Sequence, residues 1–157
     1  MNDRKIIVAL DGNKLNELES LVSEIKSHAF AFKIGYEFFL HFGLDGYKRI
    51  QNKNVNVFLD LKLHDIPNTV KNGVEAIANL NPYFTSIHIT GGDEMQKYAN
   101  LSKKNVKILG VSVLTSIDSV QAKKYYNEND INHLVGKFVK YATANKLDGV
   151  VCSPLEI

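Results

Sequence analysis

The amino-acid sequence predicts the α/β class, in which helices cover a parallel sheet, and two observations lead to this prediction. Six short apolar runs recur along the chain, and stretches with apolar residues at helical spacing separate them. Strands that alternate with helices are typical of a parallel sheet, because parallel neighbours need a helical crossover between them. Most of the runs also end in polar or charged residues, which indicates where a site would be built.

The six predicted strands are the runs with many β-branched or aromatic residues. The first, KIIVAL, is bounded by the polar residues Asp11, Gly12 and Asn13, and the third, VNVFLDLKL, is the longest continuous run. In chain order the strands are 5–10, 30–35, 55–63, 84–90, 106–114 and 148–153.

Helices are predicted where apolar residues return every three or four positions. The first contains Leu15, Leu18, Leu21, Val22 and Ile25, and we expect Asn13 to cap it. Pro67 suits the first turn of the third helix because proline has no backbone N–H to leave unpaired. The other predicted helices are 36–53, broken near Gly43, then 67–80, 93–103, and 118–146, split near Asn129.

Composition and charge exclude several classes of protein. The 157 residues are 45% hydrophobic and 23% charged, which is the profile of one globular domain. The 19 basic and 17 acidic residues are scattered along the chain, so no nucleic-acid partner is expected. The apolar runs are too short to span a membrane. The N-terminus resembles no signal peptide, so we expect a cytoplasmic protein. The single cysteine, Cys152, excludes an internal disulfide, and no Cys and His cluster suggests zinc.

Two architectures remain open within the α/β class. A dinucleotide-binding sheet would need a GxGxxG turn after its first strand, and this strand ends in Asp11-Gly12-Asn13. Polar residues end five runs, and in a (β/α)8 TIM barrel such ends converge on one mouth. These residues are Asp11, Lys33, the segment 60–65, His88 and Thr115. The prediction is therefore a single incomplete barrel domain over residues 1–157, with strands 1 to 6 present and strands 7 and 8 missing; an open sheet is the alternative.

The most informative segment is FLDLKLHDIPNTV, residues 58–70. Side chains alternate along a strand, so Phe58, Asp60 and Lys62 are expected on one face and the leucines on the other. Charges directed into an interior need partners, because an unpaired buried charge costs several kcal/mol. An acid-base-acid array with Asp65 would suit a ligand site, and the alternative is an ion-pair network that only sets the strand register.

The run Asp60-Leu61-Lys62-Leu63-His64-Asp65-Ile66-Pro67-Asn68-Thr69-Val70 closely resembles the signature of the orotidine 5'-monophosphate decarboxylases of bacterial type. The resemblance extends along the chain through VALD, FKIG, HITGG, VLTS and GVVCSP. It implies a homodimeric TIM-barrel enzyme that converts orotidine 5'-monophosphate to UMP and CO2 in pyrimidine biosynthesis.

The resemblance also implies roles for individual residues. Lys62 matches the proton donor, and Lys33, Asp60 and Asp65 match the other members of a Lys-Asp-Lys-Asp array, with Asp65 reaching the site of the partner subunit. Asp11 and Thr69 match ribose contacts, and Thr69 makes its contact from across the dimer. Ile66 matches an apolar contact to the base and Thr115 a residue near the pyrimidine, while Lys33 and Asp60 also face the substrate. His88 belongs to a matching motif, but we assign it no chemical role.

The chemistry implied by the resemblance needs no metal or organic cofactor. Loss of CO2 leaves a carbanion at C6, and an ammonium fixed beside C6 binds the charge that develops in the transition state. Family members bind the phosphate with groups from the seventh and eighth strand loops, which this sequence does not contain. We therefore expect the 157 residues alone to be nearly inactive and unable to fold stably.

Two alternative functions remain. Sugar-phosphate lyases of the 3-keto-L-gulonate 6-phosphate decarboxylase or hexulose-phosphate synthase type share an Asp-x-Lys-x-x-Asp strand. They would carry a glutamate ligand for Mg2+ on the second strand, where this sequence has Lys33, and a cation there would repel the metal. The other alternative is a non-catalytic nucleotide-binding fragment.

Overall fold

Strands and helices alternate in the computed structural model, which describes residues 5–156; residues 1–4 and 157 of the predicted domain lie outside the described residues. The strands are β1 (Ile7–Ala9), β2 (Ala31–Ile34), β3 (Asn56–Leu63), β4 (Phe84–His88), β5 (Lys107–Val111) and β6 (Gly149–Val151). The helices are α1 (Leu15–Ile25), α2 (Tyr36–Gln51), α3 (Pro67–Leu80), α4 (Asp93–Ser102), α5 (Ser119–Tyr126) and α6 (Ile131–Ala144). Within the described residues, no helix is both long and apolar enough to cross a membrane.

The strands form one six-stranded sheet in the order β1 to β6. Pairing is parallel between β1 and β2, between β2 and β3, and between β5 and β6. The register places Lys33 of β2 beside Ala9 on one side and Phe58 on the other. Strands that follow in chain order with helices between them confirm the predicted α/β class.

Two compact units make up the chain. Among the described residues, one unit contains 5–61 together with Asn81–Thr85, and the other contains Lys62–Leu80 together with 86–156. In the first unit the core is formed by Leu10, Phe32, Ile34, Phe38, Tyr47, Ile50 and Leu59, all nearly inaccessible to water. Burial raises the pKa of the Tyr47 hydroxyl from 10.0 to about 12, because the phenolate is poorly solvated there.

The second unit has two apolar clusters. One joins α3 and α4 to the sheet through Val70, Val74, Ile87, Met95, Ala99 and Ile108. The other is built around α6 from Ile89, Val113, Ala122, Leu134, Val135, Phe138 and Ala142. Cys152 packs against this second cluster, and partial burial and the nearby Glu156 carboxylate raise the pKa of its thiol.

The helix ends agree with the sequence except at α1. The expected Asn13 cap is wrong: the residue before the helix is Lys14, and it makes no side-chain capping bond. Gly43 breaks α2 with φ 55° and ψ −150°, as predicted. The split near Asn129 is also confirmed, because Asp130 ends the gap and caps α6 by accepting a hydrogen bond from the His133 backbone N–H at 3.0 Å.

Candidate active site

Lys33 and Asp60 form an ion pair in the first unit, and the carboxylate of this pair is nearly inaccessible to water. The Lys33 Nζ lies 3.8 Å from Asp60 Oδ2, and the Asp60 side chain is only 6% exposed against 26% for Lys33. Parallel pairing of β2 with β3 places Lys33 beside Phe58, two residues before Asp60 on the same strand. The sequence predicted that the charges of β3 would need partners, and for Asp60 the structure provides a cation.

The Lys33 ammonium lies over the start of α2. Its Nζ is 3.5 Å from the position that a Cβ on Gly35 would occupy, and Gly35 is the residue that precedes the helix. A helix N-terminus carries partial positive charge, which disfavours a cation. The carboxylate of Asp60 offsets this electrostatic cost, so the position of the Lys33 ammonium depends on Asp60.

Asp11 follows β1 in the same unit. Its side chain is exposed, and the preceding residue, Leu10, donates its backbone N–H to the Lys33 carbonyl oxygen at 2.9 Å. This bond places the end of β1 beside Lys33. The exposed carboxylate lies two residues beyond the end of β1, and its role as a ribose contact stays a prediction.

Lys62 lies in β3 in the second unit, and its backbone departs from that of a regular strand. Its φ is +45°, in the left-handed region that a residue with a Cβ rarely adopts, although Lys62 lies within β3. The Lys62 backbone N–H donates to Ser86 Oγ at 3.0 Å. The next residue, Leu63, returns to the apolar side and packs against the α3–α4 cluster.

Asp65, Ile66 and Thr69 lie around the start of α3, and all three are exposed. The Asp65 Oδ1 accepts the backbone N–H of Ile66 at 2.7 Å. The helix begins at Pro67, as predicted. The contribution of Asp65 and Thr69 to the site of a neighbouring subunit, and the contact of Ile66 with the base, stay predictions.

Two predicted residues lie at other strand ends of the second unit. His88 ends β4, and its ring centroid lies 5.1 Å from that of His64. Thr115 is exposed in the turn after β5, which is closed by a hydrogen bond from the Ile117 N–H to the Leu114 carbonyl oxygen at 2.9 Å. The polar residues predicted at strand ends are therefore found there, and their roles remain predictions.

Ser86 was not predicted from the sequence. It is fully buried in β4, and its hydroxyl binds the backbone of the lysine expected to be catalytic. The available signal was the two adjacent hydroxyl residues, Thr85 and Ser86, inside the predicted strand FTSIHIT, since a buried hydroxyl needs a hydrogen-bond partner. The partner itself could not be read from the sequence.

Comparison with known proteins identifies the family. Residues 4–157 match the family model described as "Orotidine 5'-phosphate decarboxylase / HUMPS family". The chain belongs to this family. This match confirms the resemblance that the charged strand indicated.

Two curated relatives are orotidine 5'-phosphate decarboxylases. The one from Buchnera aphidicola is 37% identical over 156 residues, which cover 97% of this chain and 66% of the relative. The one from the Wolbachia of Brugia malayi is 41% identical over 153 residues, covering 96% and 68%. The chain spans about two thirds of the length of these family members.

The solved structures agree in fold. The crystal structure of orotidine 5'-phosphate decarboxylase from Lactobacillus acidophilus superposes with a TM-score of 0.87 at 37% identity, covering 98% of this chain and 73% of that chain. An uncharacterized conserved protein from Geobacillus kaustophilus gives the same TM-score at 30% identity, covering 96% and 74%. These likenesses confirm the predicted fold class.

Proposed function

We propose that the protein carrying this chain is an orotidine 5'-phosphate decarboxylase, which converts orotidine 5'-monophosphate to UMP and CO2. The observation that carries the proposal is the buried Asp60 carboxylate paired with Lys33, on the strand that supplies Lys62 two residues later. Membership of the family and relatives that bear the decarboxylase name support the substrate. The cytoplasmic location and a single domain over residues 1–157 remain predictions.

In the proposed reaction, the bond between C6 and the carboxylate carbon breaks, CO2 leaves, and the electron pair stays on C6. The Lys62 ammonium, placed against C6, stabilises this charge as it develops and then transfers a proton to it. A C6–H bond forms, UMP is the product, and the neutral amine regains a proton from solvent. No step in this sequence uses a metal or an organic cofactor.

The remaining charges would hold Lys62 in place. Asp60 is itself held by Lys33, so its carboxylate is preorganised before the substrate arrives. Asp65, exposed at the start of α3, would complete the array from the partner subunit. A fixed arrangement of charges matters because every 1.4 kcal/mol of barrier, approximately, is a tenfold change in rate.

The other predicted residues would bind the rest of the nucleotide. Asp11 and Thr69 carry the polar groups that a ribose requires, and both are exposed. Ile66 is 67% exposed and would offer an apolar surface to the base. Thr115, in the turn after β5, would lie near the pyrimidine.

We further propose a homodimer that forms through the face of α3 and α4. Ile66, Tyr98 and Leu101 are exposed on this part of the second unit, with Leu101 82% exposed. A groove of about 320 Å³ between the helices is lined by Asn68, Lys71, Tyr98 and Leu101. A second copy would cover these apolar side chains and receive Asp65 and Thr69 in its own site.

Turnover is the direct test of the proposed activity. The purified protein carrying this chain, incubated with orotidine 5'-monophosphate and excess chelator, should consume the substrate and release UMP and CO2 in equal amounts. Absorbance follows the conversion of the orotate chromophore to uracil, and chromatography identifies UMP. Tight nucleotide binding without turnover would contradict the proposal and favour the non-catalytic alternative.

A complementation experiment tests the shared site. Lys62→Ala and Asp65→Ala are each expected to be inactive, but a mixed dimer contains one site with Lys62 from one subunit and Asp65 from the other. An equimolar mixture that has exchanged subunits should therefore recover about one quarter of the wild-type activity. A mixture that stays as inactive as its components would contradict the contribution of Asp65 from the partner. A mixture of Lys62→Ala with Lys62→Met is the control, and it should stay inactive because neither subunit supplies Lys62.

The sugar-phosphate lyase alternative is not favoured. That chemistry would require an acidic metal ligand on the second strand, and Lys33 stands there with its ammonium paired to Asp60. A cation in this position opposes binding of Mg2+. The relatives found by sequence also carry the orotidine 5'-phosphate decarboxylase name.

A further inference from the structure

The backbone conformation of Lys62 is unusual for its place in the fold. Within residues 5–156, five other residues with side chains have positive φ: Asn54, Asn81, Lys104, Asn127 and Lys146. All five lie outside the strands, whereas Lys62 is the seventh residue of the eight in β3. A left-handed conformation is unfavourable for a residue with a Cβ, so it persists where its surroundings hold it.

The Ser86 side chain binds the backbone of Lys62 at this position. The Lys62 N–H donates to Ser86 Oγ at 3.0 Å, and Ser86 is fully buried. In a regular parallel ladder a strand N–H binds a carbonyl oxygen of the neighbouring backbone. A side-chain oxygen accepts from a different position, so the Lys62 N–H keeps a hydrogen-bond partner where the backbone turns.

We propose that Ser86 is a positioning residue for Lys62: its hydroxyl stabilises the left-handed backbone that aims the lysine ammonium at the reacting carbon. The inference rests on the proposed decarboxylase function. Ser86 contacts the lysine backbone and takes no part in the chemistry. A misplacement of a reacting group by about 1 Å can cost about a hundredfold in rate, so loss of the hydroxyl acts on kcat.

Thr85 provides a matched control on the same strand. It is fully buried, and its Oγ1 donates to the Leu59 carbonyl oxygen at 3.0 Å. Ser86 and Thr85 thus each bind the backbone of β3 with a buried hydroxyl, and only Ser86 binds it at Lys62. Ser86→Ala and Thr85→Val therefore each remove one buried hydroxyl that binds the β3 backbone.

The kinetic test separates positioning from general stability. Ser86→Ala should lower kcat by about 10- to 100-fold while KM changes less than about threefold, and Ser86→Thr, which keeps the hydroxyl, should recover most of kcat. Thr85→Val should lower Tm by a similar amount to Ser86→Ala but leave kcat within about twofold of wild type. Equal losses of kcat in Ser86→Ala and Thr85→Val, or an unchanged kcat in Ser86→Ala, would overturn the inference.

Amide hydrogen exchange gives a readout that does not depend on activity. Exchange at the Lys62 N–H should be at least about tenfold faster in Ser86→Ala than in Thr85→Val, because its acceptor is lost. Equal exchange in the two variants would overturn the inference. If the wild-type protein shows no turnover, the proposed function fails, and exchange alone then decides whether Ser86 holds Lys62. Should Ser86→Ala not fold, Ser86→Cys retains the volume with a weaker acceptor and takes its place in both tests.

Discussion

Lys62→Ala is expected to lower kcat for decarboxylation by about 10⁴-fold or more, the largest effect of any single substitution in this chain. The variant loses two contributions at once, because the ammonium both stabilises the carbanion and donates the proton that quenches it. Single-turnover kinetics with orotidine 5'-monophosphate measure the residual rate. Nucleotide binding should persist, since other residues are proposed to hold the ribose and the base.

The control for Lys62→Ala is Lys137→Ala. Lys137 is exposed on α6, where its Nζ lies 6.0 Å from the centre of the Tyr141 ring, so its loss should leave kcat unchanged. Residual activity of Lys62→Ala above about one hundredth of wild type would contradict the proton-donor role.

Because the chain has one cysteine, the lost ammonium can also be restored chemically. In a Cys152→Ser background, Lys62→Cys alkylated with 2-bromoethylamine regains an amine of nearly the same length. Activity should return on alkylation, and alkylation with iodoacetamide, which adds a neutral amide, should not restore it. Recovery with both reagents would show that side-chain length, and not charge, is what the site requires.

Asp60→Asn is also expected to have a large effect, with kcat lowered by about a hundredfold. Asparagine keeps the shape of the side chain but removes the charge that is paired with Lys33 in a nearly inaccessible position. The Lys33 ammonium would be left at the start of α2 with its carboxylate partner neutralised. We expect the free energy of unfolding to fall by about 1 to 2 kcal/mol, less than for a fully buried pair because Lys33 is 26% exposed.

A double-mutant cycle tests the origin of this loss. Adding Lys33→Met to Asp60→Asn should recover part of the stability and none of the activity, because the unpaired charge is removed but the array is not rebuilt. Denaturant unfolding and steady-state kinetics measure the two quantities. Asp45→Asn, on the exposed side of α2, is the control and should change neither. Additive stability losses in the cycle would contradict coupling between Lys33 and Asp60.

The order and type of the elements could be predicted because hydrophobic periodicity is a local property of the chain. The break of α2 at Gly43, the gap before Asp130 and the start of α3 at Pro67 all follow from single residues with strong backbone preferences. Asn13 failed as a cap because a polar residue near a helix start does not by itself determine which residue closes the first turn.

The sequence by itself determined the α/β class, the charged strand and the resemblance to the family, because these depend on the spacing and identity of residues along the chain. Only the tertiary structure decided that Asp60 pairs with Lys33 at 3.8 Å and that Lys62 adopts a left-handed backbone bound to Ser86. Lys33 and Asp60 come from different strands, and Ser86 follows Lys62 by 24 residues. Such partners meet through the pairing register of the sheet. The left-handed conformation of Lys62 is one that local backbone preference disfavours, so it depends on a partner distant in the sequence.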